Sequence, residues 1–306
     1  MNLPTIKRLF TLMQIKTLFS VSLLLLSFGL VKAQEKPAYI IYDSEGNKVA
    51  YSKMMKDFKK SDVILFGEYH NNAISHWLEL EVTKDLSAEY HLTLGAEMIE
   101  SDNQDALNLY LLDSIDQKGL DTLARLWNNH KTDYKPLVDF AKDSGLKFIA
   151  ANVPRKYARM VARGGFEALD TLSPEEKSWI APLPILFDAD LPTYSRMLTM
   201  MGDHGSPAIV KAQALKDATM AHFILQNLEL DSKGRVVKNA KFIHYNGAYH
   251  SDYHEGIGWY LAQHNKKLKV STISTVSVKD PNVFDKEHIG KADYIICVDE
   301  DMTSTY

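Results

Sequence analysis

The feature that most constrains this chain is a rhythm. Apolar runs too short to be helices alternate with longer stretches of helical period. Val63-Ile-Leu-Phe66 is a continuous apolar run, the pattern of a strand covered on both faces. Residues 73–86 follow with helical spacing, and 92–98 read as the next strand. Helical patterns over 106–115, 120–127 and 137–144 lead to a third strand at 147–151. Residues 240–245 read as a fourth strand, followed by a helix over 253–264. Strands over 267–278 and 294–298 complete the pattern. Such alternation predicts an α/β fold, with a mainly parallel central sheet flanked by helices. Residues 39–42 and 48–51, joined by Ser44-Glu-Gly-Asn47, predict an N-terminal β-hairpin. From 155 to about 227 no strand pattern occurs, and helices over 191–201 and 208–226 are expected. This stretch reads as a helical insertion in a single domain spanning 34–306.

Residues 1–33 read as an address. Lys7, Arg8 and Lys16 precede an apolar run over 18–30, and Val31-Lys32-Ala33 offers a cleavage site before Gln34. This is the pattern of a secretory signal peptide, and the run is shorter than the ~20 residues that span a bilayer. The expected destination is the periplasm or cell envelope of a Gram-negative bacterium. With no cysteine at the cleavage point, a lipoprotein is not expected. The single cysteine, Cys297, rules out an internal disulfide framework or a Cys-rich metal site. It lies in Tyr294-Ile-Ile-Cys-Val298, where it reads as a small buried hydrophobe. Thirty-five Lys and Arg against 39 Asp and Glu give a net charge of −4. No basic block stands out, so nucleic acid is not an expected partner.

In an open parallel sheet, ligands bind beyond the carboxyl ends of the strands. Gly67-Glu68-Tyr69-His70 follows the first core strand, and Gly95-Ala96-Glu97 ends the second. Asn152-Val-Pro-Arg155 follows the third. Gly247-Ala-Tyr249-His250 follows the fourth, with His254 four residues on. Each fragment alone is common. The notable feature is Gly-x-x-His appearing twice, each time directly after a predicted strand, where a tight turn leaves no room for a side chain. Glu68, His70, Glu97 and His250 are therefore the candidate catalytic set of a metal-dependent hydrolase, with Glu68 as general base for a bound water. His70, Glu97, His250 and His254 are the candidate ligands of a divalent metal ion. The pair His250 and His254 is spaced to share one helical face.

These fragments, with Asn71, His76 and Gln213-x3-Asp217-x2-Met-Ala221, occur in an order that resembles the ChaN family of the Tiki/TraB/erythromycin-esterase-like superfamily. The resemblance covers roughly residues 60–280. It implies an α/β core with a helical insert, haem as ligand, a role in iron uptake or storage, and dimerisation around haem. It also implies an outer-membrane haem receptor as partner. Some superfamily relatives are metalloproteases or esterases, so the hydrolase reading stands beside haem binding. The absence of a lipobox cysteine departs from lipid-anchored members.

Local chemistry allows haem. Ferric haem needs an axial Tyr, His, Met or Cys and an apolar wall. In the insert, Tyr194, Met197 and Met201 recur near helical spacing, and Arg196 or His204 is placed to meet a propionate. Tyr249 and Tyr253, flanking His250, are rival axial candidates. An amphipathic helix packing its Met face inward explains the same pattern without haem. A buried hydrogen-bonded network explains Glu68, His70, Glu97 and His250 without chemistry.

Overall fold

The computed structural model describes residues 36–202 and 206–305. The expected leader and His204 lie outside them. The apolar runs form strands β1 (Tyr39–Asp43), β2 (Val63–Glu68), β3 (His91–Glu100), β4 (Lys147–Asn152), β5 (Ala240–Gly247), β6 (Val270–Val278) and β7 (Tyr294–Asp299). They make one seven-stranded sheet in the order β1-β7-β6-β2-β5-β3-β4. Only β1 runs antiparallel, against β7; the other neighbours pair in parallel. The α/β class read from the sequence is the observed one.

Between and after the strands lie helices α1 (Tyr51–Phe58), α2 (Ala73–Ser87), α3 (Gln104–Leu111), α4 (Gln117–Leu123) and α5 (Lys135–Asp143). Further along come α6 (Arg155–Gly164), α7 (Pro174–Lys177), α8 (Pro192–Met201), α9 (Pro207–Asn227) and α10 (Ile257–His264). Alternate strand residues point to opposite faces, and the two faces gather different helices. Ile64, Phe66, Phe148 and Tyr245 pack with Leu78 and Val82 of α2 and Leu137 of α5. Val63, Leu65, Ile149 and Phe242 pack with Val161 of α6, Leu215 and Ile224 of α9 and Leu261 of α10. Helices between residues 155 and 227, with α10, cover this second face. Each such fully buried side chain contributes about 1.5–3 kcal/mol of hydrophobic stabilisation. No helix among the described residues is long and apolar enough to cross a membrane.

Two local expectations change. The N-terminal hairpin shrinks to an isolated bridge, Tyr42 to Lys48. Its second arm gives way to α1, whose Met54 and Phe58 share a buried face at i,i+4. β1 instead finds its partner in β7, near the far end of the chain. The helix expected from 253 begins only at Ile257, because Tyr253 and His254 hold positive φ (60° and 57°). Cys297 is fully buried in β7, and burial pushes its thiol up to about 11, which leaves it unreactive.

Candidate functional site

The strand order places the site. From β2 the chain steps outward to β3 and β4, returns to insert β5 between β2 and β3, then crosses β2 to lay down β6 and β7. The reversal puts α2 and α10 on opposite faces and opens a mouth beyond the carboxyl ends of β2, β5 and β3. Gly67 and Gly247 are there for space, not for a left-handed backbone. A Cβ on Gly67 would lie 2.5 Å from the Ile273 carbonyl oxygen and 2.9 Å from Ala248 Cα. One on Gly247 would lie 2.7 Å from His70 Cε1, 2.8 Å from His70 Nε2 and 3.6 Å from Glu97 Oε2. His70 therefore lies over Gly247 and beside Glu97, and Glu68, His70, Glu97 and His250 do converge.

Two constellations meet there. In the first, Glu68 Oε1 lies 2.5 Å from His70 Nδ1 and accepts a 2.8 Å hydrogen bond from the Tyr134 hydroxyl. Glu68 Oε2 faces His76 Nδ1 at 3.2 Å, and Glu79 Oε2 faces the same nitrogen at 3.1 Å. Asn72 caps α2 through Ile74 N and Ser75 N, which fixes where His76 and Glu79 emerge, one turn apart. His76 Nε2 reaches the His70 carbonyl at 3.1 Å, which also accepts from Asn129 Nδ2 at 2.9 Å. Burial alone would lower the His76 pKa, but the hydrogen bonds and charges of Glu68 and Glu79 outweigh it and hold it up to about 11. Burial likewise opposes the Glu68 charge, and the two imidazoles overcome it, so this carboxylate sits below its usual range. Glu79 is shifted up, by burial first and then by the Glu68 charge.

In the second, Glu97 Oε2 accepts from Gly247 N at 2.8 Å and Oε1 lies 3.2 Å from His250 Nε2. His250 Nδ1 is bound to Asp217 Oδ1, and Asp217 Oδ2 accepts from the Tyr194 hydroxyl at 3.0 Å. Burial works against charge on His250, yet Glu97 and Asp217 raise it to about 9. The His250 cation in turn holds Glu97 well below the carboxylate range despite complete burial. Both His250 nitrogens thus face carboxylates, and Gln213 Nε2 also lies 2.8 Å from Nδ1.

His70 differs. Its Nδ1 is tied to Glu68, its side chain is 40% exposed, and its Nε2 looks toward the mouth. A carboxylate on one imidazole nitrogen orients the ring and makes the other a better base or ligand. Glu68 itself is buried with its oxygens turned to His70, Tyr134 and His76. Gly247→Ala tests the arrangement. The intruding methyl meets the end of a half-exposed ring that is able to swing outward. The expected stability loss is therefore modest, about 1 kcal/mol, the cost of one lost hydrogen bond. Titration of the His70 ring by NMR is expected to return toward an ordinary histidine once Glu68 lets go. An unchanged His70 titration would place the ring elsewhere.

The remaining candidates spread out. His254 faces Asp293 at 3.2 Å, and it and His250 sit on separate single turns, so the i,i+4 spacing is not realised as a helical face. Tyr194 is fully buried, and burial together with Asp217 pushes its phenol up. Met197 is half-buried against the small cluster of Tyr194, Val210 and Ala214, while Met200, one turn on, is 79% exposed. Arg196 lies over the Tyr253 ring at 4.1 Å. The Tyr249 hydroxyl donates to Thr193 O at 2.6 Å, at the start of α8. Sequence reasoning assigned no role to His76, Glu79, Tyr134 or Asp217. Glu79 left a signal, an acidic residue amid the apolar Trp77-Leu78-Glu79-Leu80 of α2.

Comparison with known proteins places this geometry among relatives. The family described as haem-binding uptake, Tiki superfamily, ChaN, matches residues 54–261. The solved structure described as cofacial heme binding to ChaN of Campylobacter jejuni superposes with a TM-score of 0.63 at 18% identity. The match covers 86% of this chain and 98% of that one, and at such identity what is shared is the fold. Protein RETICULATA-RELATED 5, chloroplastic, of Arabidopsis thaliana is 29% identical over 164 residues, 49% of this chain. That stretch spans only 22% of the plant protein.

Proposed function

The chain belongs to the ChaN family of the Tiki superfamily, and from that premise we propose that it binds haem. The observation that carries the reading is the extent of the match, which takes in both the strand-end mouth and α8. The side chains present are compatible with such a ligand. Arg196 and Met200, at i,i+4 on α8, are both exposed and offer a cation beside an uncovered apolar surface. Tyr249, half-buried at the base of α8, carries a phenol that burial pushes up, an effect the nearby Arg196 charge opposes in part. Tyr249 is our candidate for the axial ligand, since Tyr194 would have to leave both the core and Asp217 to serve. Bound iron would take a phenolate as a hard anionic donor; Arg196 would face a propionate and Met197 and Met200 the macrocycle. We take the chain to be exported through its leader and to carry or store haem in iron uptake. A dimer around haem and an outer-membrane receptor are further parts of this proposal.

Hemin titration of the purified protein tests it. A saturable Soret shift at micromolar hemin is expected. Tyr249→Phe is expected to abolish the phenolate charge-transfer band, and Tyr194→Phe to leave it. No Soret shift in the parent protein would remove the reading.

One observation favours a second reading, a metal-dependent hydrolase: the partly exposed ring of His70, with Glu68 on its Nδ1 and its Nε2 over Gly247 near Glu97. Separately, Glu68, His76 and Glu79 bring three donor atoms within 4.8 Å of one another, and Glu79 Oε1 has no hydrogen-bond partner among the described residues. Elemental analysis separates the cases. Stoichiometric metal lost in His70→Ala supports an ion at the mouth, and metal lost only in Glu79→Ala supports one in the buried cluster.

A further inference from the structure

Beside the mouth lies a cleft of about 690 Å³ that shares Asn129 with the first constellation. One wall is the start of α6, with Arg155, Lys156 and Arg159; another is Trp127, and Arg125 lies at the rim with Glu100 and Asp102. Arg125 answers both carboxylates, bonding Glu100 at 2.8 Å and also Asp102. Lys156 lies 3.6 Å from Glu176 and over the Tyr157 ring. Arg155 and Arg159 are exposed and have no ion pair or hydrogen bond among the described residues. Their charges are therefore left over in a chain whose net charge is −4.

The placement runs against the grain of the helix. The first turn of α6 holds no acidic residue, so its cations crowd the positive end of the helix dipole, where anions belong. Glu100 and Asp102 share the cleft but are engaged by Arg125, and Lys156 is answered by Glu176, so Arg155 and Arg159 are the cations that a ligand would compensate. Guanidinium forks match phosphate and carboxylate oxygens in pairs. Trp127 is both a wall of this cleft and a neighbour of the site, its ring edge-on to His70 with centroids 5.0 Å apart. An occupant of the cleft lying against Trp127 is thus one ring away from His70.

We propose that this cleft binds a small polyanion of phosphate or carboxylate type, held by Arg155, Lys156 and Arg159 beside Trp127 and His70. The site is separate from the haem surface on α8 and does not depend on haem binding. Its test is calorimetric titration of the full chain with sodium pyrophosphate and, in parallel, with citrate. The parent is compared with Arg155→Glu/Arg159→Glu, whose substitutions fall at exposed positions. Saturable binding of at least one anion is expected, weakened tenfold or more in the double variant. Its melting temperature without anion and its hemin titration are expected to match the parent's. The tighter of the two anions identifies the chemistry as phosphate or carboxylate. Absence of saturable binding to both, or equal affinity in parent and variant, overturns the proposal. A hemin affinity that falls in step with the anion affinity also overturns it, by giving these cations to the propionates of haem.

Discussion

Replacing Glu68 by alanine is expected to lower unfolding free energy by about 3–5 kcal/mol, the usual cost of removing one partner from a buried ion pair. The residue ends β2 with no exposed side-chain surface, and three groups depend on it: the His70 ring, the Tyr134 hydroxyl and His76. Its removal leaves a buried phenol with only the His70 carbonyl, 3.5 Å away, as acceptor, and a buried imidazolium with one carboxylate fewer. His76 keeps Glu79 at 3.1 Å and Asp133 at 3.5 Å, which limits the loss to stability and spares the fold. Glu68→Gln preserves the shape and the acceptor for Tyr134 but not the charge, so its loss is expected to be smaller. Urea unfolding measures both, and an unchanged slope shows that stability alone has moved. A loss below about 1 kcal/mol for the alanine variant would mean that the carboxylate is bound mainly by water. It would then not be the group that orients His70.

How far this centre was legible depends on where its parts lie along the chain. β2 was legible because Val63 to Phe66 is buried on both faces, and such a strand is written as an unbroken apolar run. His70 and His250 were legible because each follows a recognisable strand, and Glu97 because it lies near the end of one; parallel topology sends those ends to one edge. Tyr134 comes from a single π-helical turn between helices, and Asp217 from the buried side of α9. Nothing in their local sequence says which strand end they will meet, since only tertiary packing does. The hairpin was misread for a related reason. Alternation over 48–51 suits a strand, but the four-residue period of Met54 and Phe58 begins immediately, and β1 gains a better partner in β7. The start of the helix after β5 differs because positive φ at Tyr253, His254 and Gly256 interrupts the helical pattern, and only the last of the three is a glycine that announces it.

The paired histidines predict how stability responds to alkali. The His250 pKa is raised to about 9 in the folded protein, against about 6.5 for an unpaired histidine. Its contribution is therefore complete below about pH 6.5 and lost as pH climbs through 9, a fall of about 3 kcal/mol. His76, held up to about 11, extends the decline beyond that window. Other buried groups act mainly at lower pH. His130 and His244 are pushed down to about 4 by burial, so they make stability rise with pH only until the ordinary histidine range is reached. Glu97, held low by His250, loses its contribution only in acid. Glu79 and Asp217, shifted up chiefly by burial, add to the loss above the ordinary carboxylate range. The expected profile has its maximum near the ordinary histidine pKa and a long alkaline descent. Urea midpoints collected from about pH 6.5 to 9.5 measure the descent, and His250→Asn is expected to start lower and flatten it. A parent midpoint that stays level across that range would mean that His250 is neutral when folded. One of its nitrogens would then carry a lone pair, and the ring would be ready to serve as the metal ligand of the second reading.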